Sequence, residues 1–343
     1  MADIKRDNHY VPQMYLQQWA TNGHIFQHRL LVPDERMHDW SSPGLSHVAV
    51  QRNLYVRMSN NQEMDDFEID FNTRIETPAV KPLRSLCAGD KITSEEWIYI
   101  NDFIMAQYLR TPAYYLKTHE KDIKMTEEVL ETIKLENKPK NINTRKRNER
   151  ANTLLPIKMK ISRKVPDNEH AIIEYKAIVG KNAWLMSIDN CLNDYSQVKQ
   201  FFRKLKWTPI ICHPKYQWPT SDNPFVIINP KGFIDRQDGL ANSQNLFLFP
   251  ISPSIVLISK PKGRFSWKIN ATEEETRGII CRIVNNAYLY VYAKQEDNYI
   301  CSVRPRKVDL KLFLKIKSMF QSWYENYQDT EGPYLTDEHG VIQ

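Results

Sequence analysis

The run Thr220-Ser221-Asp222-Asn223-Pro224-Phe225-Val226-Ile227-Ile228, which follows Trp218-Pro219, decides what the second half of the chain can be. Ser, Asp and Asn side chains bond to nearby backbone and build sharp turns. The apolar run behind them has the length of a strand and no helical period. Turns alternate with short apolar runs in the same way at 208–212, 246–249 and 254–259, which predicts strands there. Further toward the C-terminus, 273–286 predicts a helix, 287–292 a strand and 311–327 a last helix. On the other side, 171–179 reads as a strand and 187–206 as mixed loop and helix.

Toward the N-terminus the period changes. Residues 64–88 predict a helix in which Phe67, Phe71 and Ile75 recur every four residues on one stripe, beside a second stripe of Glu68, Asn72 and Glu76. Ser94 ahead of Glu95 and Glu96 predicts a capped start for the next helix. That helix runs through Ile100, Phe103, Ile104 and Gln107 to Arg110, where Thr111-Pro112 interrupts it before charged helix continues to about 135. At the start, Asn8-His9-Tyr10-Val11-Pro12-Gln13-Met14-Tyr15-Leu16-Gln17-Gln18-Trp19 predicts an extended segment and a short helix with Pro12 in its first turn. Residues 24–32 and 46–57 predict strands.

The expected fold is therefore α+β: a helix-rich N-terminal half with a short β-hairpin, and a mixed or antiparallel sheet with helices in the C-terminal half. The expected divisions are 1–136, a basic linker or loop at 137–152, a second part at 153–330 packed on the first as one unit, and a tail at 331–343. With 343 residues, 41% of them apolar, there is ample material for a core, and a wholly disordered chain is excluded. No stretch approaches the ~20 apolar residues of a membrane-spanning helix, and the charged start lacks a signal core, so a cytoplasmic protein with no membrane partner is expected. Cys87, Cys191, Cys212, Cys281 and Cys301 are odd in number and form no Cys-x-x-Cys pair, which predicts reduced, mostly buried thiols.

The net charge of +6 permits a polyanionic partner without requiring one. Lys138, Lys140, Arg145, Lys146, Arg147 and Arg150 concentrate positive charge in one stretch, which reads either as a solvated linker or as an arm contacting nucleic-acid phosphates. Phosphate-binding glycine loops, the Gly-x-Ser-x-Gly elbow and His-Glu-x-x-His are all absent. Asp167 followed by Glu174 and Lys176 has the letters of a restriction-type nuclease core. Seven residues of extended chain, however, separate the two carboxylates by ~23 Å. His24 and His28 have a spacing that would place them on one face of a strand.

Gln107 and Arg110 fall on the stripe their helix should bury. A buried guanidinium needs a carboxylate, here Glu76 or Glu68, or else a bound anion. Asp222 stands at a strand boundary, either as a turn-maker or as a reactive carboxylate. His9, at the mouth of a proline-started helix, serves as a cap, a general base or a phosphate donor.

Four blocks together, Asn8–Trp19, Arg74-Ile75-Glu76, Gln107-Tyr108-Leu109-Arg110-Thr111-Pro112 and Thr220–Pro224, resemble the domain of unknown function 4238 family. Leu248-Phe249-Pro250-Ile251-Ser252-Pro253 resembles a later block of it. The family is mainly bacterial and carries no assigned activity; Asn8 stands where members often have another His or Gln, which argues against a two-His site. The resemblance marks which residues matter. Their chemistry points to a phosphodiester hydrolase, nuclease-like and suited to phage defence. In it His9 is the acid or base and Arg110 neutralises phosphate. Asp222 or Glu76 orients His9 or holds a divalent metal, the cofactor being otherwise open, while Gln13, Gln107, Ser221 and Asn223 position substrate. The alternative is a non-catalytic nucleic-acid-binding or protein-interaction module in which the same residues form a buried polar network.

Overall fold

A computed structural model describes residues 4–59, 62–118, 157–164, 172–179, 181–234, 240, 242–261 and 269–321. The basic stretch from Lys138 to Arg150, Asp167 and the tail at 331–343 lie outside the described residues.

The chain is α+β. It begins with β1 (Asp7–His9), the short helix α1 (Gln13–Leu16), then β2 (Phe26–Arg29), β3 (Leu31–Val32), β4 (Trp40–Ser41), β5 (Val50–Arg52), β6 (Arg57–Ser59) and β7 (Gln62–Met64). Short strands therefore precede the helices. The expected helix at 64–88 is three consecutive segments: α2 (Asp66–Asp70), a π-helix over Phe71–Glu76, and α3 (Thr77–Ala88). Phe67, Phe71 and Ile75 are all buried, as their spacing requires. Helix α4 (Ser94–Leu109) is capped by Thr93 rather than Ser94: the Thr93 hydroxyl accepts the Glu96 N–H and the Glu96 carboxylate accepts the Thr93 N–H. It stops at Leu109, and helix resumes as α5 over 112–118, because Pro112 has no N–H to continue the ladder.

Helix α4 is apolar nearly all round. Ile100, Phe103, Ile104, Met105, Ala106 and Leu109 are buried, which places it inside the molecule rather than on its surface. Two of the polar residues it buries are matched by later elements: the Arg203 guanidinium grips Asp102 at 2.8 and 3.1 Å, and Trp207 Nε1 donates to Asn101 at 2.6 Å.

Past the hairpin β8 (Ile157–Lys164) and β9 (Ile172–Val179) come α6 (Lys181–Leu192), α7 (Gln197–Lys204), β10 (Trp207–Ile211), β11 (Thr220–Ser221), β12 (Val226–Ile228), β13 (Leu246–Pro250), β14 (Ile255–Ser259), β15 (Ile269–Asn270), α8 (Glu273–Asn286), β16 (Tyr290–Ala293), α9 (Asn298–Val303), β17 (Lys307–Val308) and α10 (Leu310–Gln321). A five-stranded sheet has the order β12-β13-β14-β10-β15, antiparallel except for the β10–β15 pair. A four-stranded antiparallel sheet, β11-β16-β2-β4, joins strands from both ends of the chain. One core runs from Tyr10, Tyr15 and Trp19 through α4 to Phe225, Phe247 and Phe249; a second lies between the long sheet and α8. Among the described residues no helix is long and apolar enough to cross a membrane.

Candidate functional site

The N-terminal motif is anchored before it offers any chemistry. β1 pairs with β5, and Asn8, fully buried, accepts the Tyr55 N–H at 3.1 Å while donating to Lys5 O and Glu68. Pro12 stands one place earlier than expected, as the N-cap of α1, in extended conformation. The Tyr15 hydroxyl donates to Pro250 O and accepts from the Thr220 hydroxyl, both at 2.7 Å; Trp19 Nε1 donates to Trp218 O at 2.7 Å. These bonds join the first block directly to the Thr220–Pro224 block.

Arg110 is the C-cap of α4 and is 1% exposed. Its Nη1 donates to Glu76 at 2.7 Å, its Nε donates to Tyr10 O at 3.0 Å, and the guanidinium lies over the Phe71 ring at 5.0 Å. Of the two carboxylates weighed, Glu76 is the partner, while Glu68 turns to Lys5 and Asn8. The π-helix is what brings Glu76 there. A wider turn shifts the residues after it relative to an ordinary helix, and such segments cluster at functional or strained places. Burial works against the Arg110 charge, but Glu76, with Tyr55 and Glu68 adding to it, outweighs burial and the guanidinium stays firmly protonated.

His9 is half-buried, with Nε2 2.8 Å from the Gln13 amide nitrogen. Burial lowers its pKa against the opposing pull of Glu68, with Lys5 and Arg110 adding to the fall, so the ring is neutral at pH 7. Gln107 shares the buried face of α4 with Arg110. Neither of its amide atoms has a hydrogen-bond partner among the described residues, nor does Arg110 Nη2.

Asp222 is sealed. Its Oδ1 accepts the Tyr288 N–H at 2.7 Å, and its Oδ2 accepts those of Leu289 at 2.6 Å and Tyr290 at 3.1 Å. Burial pushes its pKa up to about 6 even though the three N–H donors favour the charge. Ser221 accepts the Asn223 N–H. Asn223 and Asn286 exchange amide bonds, Asn223 donating to Asn286 O at 3.0 Å and Asn286 to Asn223 O at 2.7 Å. This makes a clamp at the end of α8.

The expected site residues therefore fall into two groups. Glu76 and Arg110 are in contact, with His9 and Gln13 beside them; Asp222, Ser221 and Asn223 form a separate knot with 286–290. Thr111, whose hydroxyl lies 3.5 Å from Asn223 Oδ1, borders both. His28 is buried against Trp40 and Asp39 O, whereas His24 lies in an exposed turn outside β2, so the two share no strand face. Among the described residues no three His, Cys, Asp or Glu side chains are grouped to hold a metal. Of the five free cysteines only Cys212 is buried, the others being half-buried, and burial holds the Cys212 thiol up near 12.

Beside the second group opens a cleft of about 640 Å³ that residue spacing did not reveal. Asn223, Phe225 and Asn286 line it together with Tyr108, Tyr114, Lys117, Tyr288, Arg304 and Lys307. Among the described residues its lining carries three cations and no carboxylate, and Lys307 is paired with Asp309 at 2.7 Å. Arg304 also caps α8, donating to the carbonyls of Val284 and Ala287. In the sequence these cations look like ordinary solvated charges; only the folding-together of α5, α8 and β17 aligns them.

All the motif blocks fall within residues 7–297, which match the family described as Protein of unknown function (DUF4238). The chain belongs to this family. No curated protein and no solved structure matches it. The match takes in both polar groups of this DUF4238 protein but ends before Arg304, Lys307 and α10, so two of the cleft's three cations lie beyond it.

Proposed function

We propose that the chain binds single-stranded nucleic acid in the cleft of Tyr108, Tyr114, Lys117, Tyr288, Arg304 and Lys307 without cleaving it. The supporting observation is that lining: three cations interleaved with tyrosine rings, the combination that meets phosphates and stacks bases. The polar motif residues then serve as scaffold. Asp222 has both oxygens engaged, and Arg110 is closed off with Glu76. Titrating the protein into labelled single-stranded RNA and DNA should give affinity that falls steeply with salt. Lys117→Ala and Lys307→Ala should each reduce the salt slope, and Tyr114→Ala should weaken binding at every salt. Salt-independent or absent binding by the folded protein would sink the proposal.

One observation favours hydrolysis as a second reading: His9 is half-exposed, neutral at pH 7 and electrostatically coupled to Glu68 and Arg110. Incubation of RNA and DNA with magnesium or manganese tests it directly. Cleavage that is lost in His9→Ala while the fold persists would replace the binding role with a catalytic one, in a setting such as defence against foreign nucleic acid.

A further inference from the structure

The apolar face of the long sheet is buried, and part of it lines a pocket beside α8. Ile210, Ile228, Leu248 and Ile258, from four neighbouring strands, all turn to the side where α8 lies. Beyond the helix this face borders an open pocket of about 900 Å³, spacious for a ligand of a few dozen atoms. α8 presents Gly278, Ile279 and Arg282 to it. A glycine inside a helix costs ~1 kcal/mol relative to alanine, so its presence calls for a local reason. Here a Cβ on Gly278 would stand 3.2 Å from Arg282 Nη1.

Arg282 is half-buried, and its Nη1 donates to Gly278 O at 2.9 Å. Among the described residues its Nε and Nη2 have no protein partner. Those two atoms form the edge on which a guanidinium takes a carboxylate through two parallel bonds. Gly232, at φ +84°, leaves room beside that edge: a Cβ there would lie 3.8 Å from Nη2. Two carboxylates also border the pocket, Glu274 and Glu275, whose backbone lies about two turns before that of Arg282, ~10–12 Å along the helix, while the guanidinium reaches back only as far as Gly278 O. Glu275 is moreover engaged by the Thr272 N–H at 2.9 Å. Lys260 adds a second cation to the lining.

We propose that this pocket binds a long-chain fatty acid, with the acyl chain on the aliphatic sheet face and the carboxylate on the Nε–Nη2 edge of Arg282. Isothermal titration of the full chain with dodecanoate and dodecanol, below their aggregation concentrations, tests it. Dodecanoate should bind saturably, one per chain, and at least about tenfold tighter than dodecanol, as a charge-assisted pair would give. Arg282→Gln should erase that preference. Gly278→Leu should weaken both ligands by filling the pocket. A chain-length series from octanoate to hexadecanoate on the unaltered protein should show affinity rising with each added methylene, and needs no variant to fold. The proposal is overturned if dodecanoate does not bind, if dodecanol binds as tightly, or if folded Gly278→Leu binds unchanged.

Discussion

At the scale of single residues, the buried charges are held by partners rather than offered to solvent. Removing one member of a buried pair leaves the other charge uncompensated, which typically costs ~3–5 kcal/mol. Glu76→Gln should therefore destabilise the protein by roughly that amount, read from urea midpoints, while Arg110→Met combined with Glu76→Leu should recover much of the loss. An Asp222→Asn side chain presents an NH₂ group to N–H donors that now meet a carboxylate oxygen, for an expected loss of about 2–3 kcal/mol at pH 7. His9 has a folded pKa below its ordinary value, so the unfolded chain takes up its proton first and stability falls as pH drops below about 6.5. Asp222 works in the opposite sense: its folded pKa of about 6 lies above the ordinary carboxyl value, so its contribution grows as pH falls through 6. Stability measured from pH 8 to 5 should fall less steeply in His9→Gln than in the unaltered chain. Equal slopes would mean that the ring is not desolvated.

At the scale of elements, the periodic and capping signals were legible where they act locally. Helix α8 begins and ends where 273–286 was expected, closed by a capping box of Thr272 and Glu275 like that of Thr93 and Glu96 on α4. Thr93→Ala and Thr272→Ala should each cost ~1 kcal/mol, measurable as lowered thermal midpoints. Gly89, at φ +85°, closes α3 in a left-handed conformation, and Gly89→Ala should cost a similar ~1 kcal/mol through backbone strain. The π-helix was not legible. Phe67, Phe71 and Ile75 keep a spacing that suits an ordinary helix, and the wider turn is stabilised by a partner far away in sequence, Arg110 on Glu76.

At the scale of the whole molecule, the core and the first motif cross the boundary expected near 137–152. Tyr15 reaches Pro250 and Thr220, Trp19 reaches Trp218, and β2 lies between β16 and β4. Unfolding followed by far-ultraviolet circular dichroism and by tryptophan fluorescence should accordingly give coincident curves. Two separated transitions would show that the halves are stable independently. Tyr15→Phe, which leaves the Thr220 hydroxyl and the Pro250 carbonyl unmatched in the interior, should cost about 1–3 kcal/mol and shift both curves together.

The sequence by itself determined the class of fold, the position of most helices and strands, the membership of the motif blocks in one family, and the need of Arg110 for an opposite charge. Each of these follows from nearest-neighbour physics: side-chain period, turn chemistry, caps, and the cost of burying a charge alone. Only the tertiary structure decided that Glu76 is that charge, that Asp222 spends its oxygens on the backbone of 288–290, and that one pocket opens beside Asn223 and another against the long sheet. Those outcomes depend on which distant surfaces meet, and no local spacing encodes the distance between a side chain at 76 and one at 110, or between one at 222 and the backbone at 289.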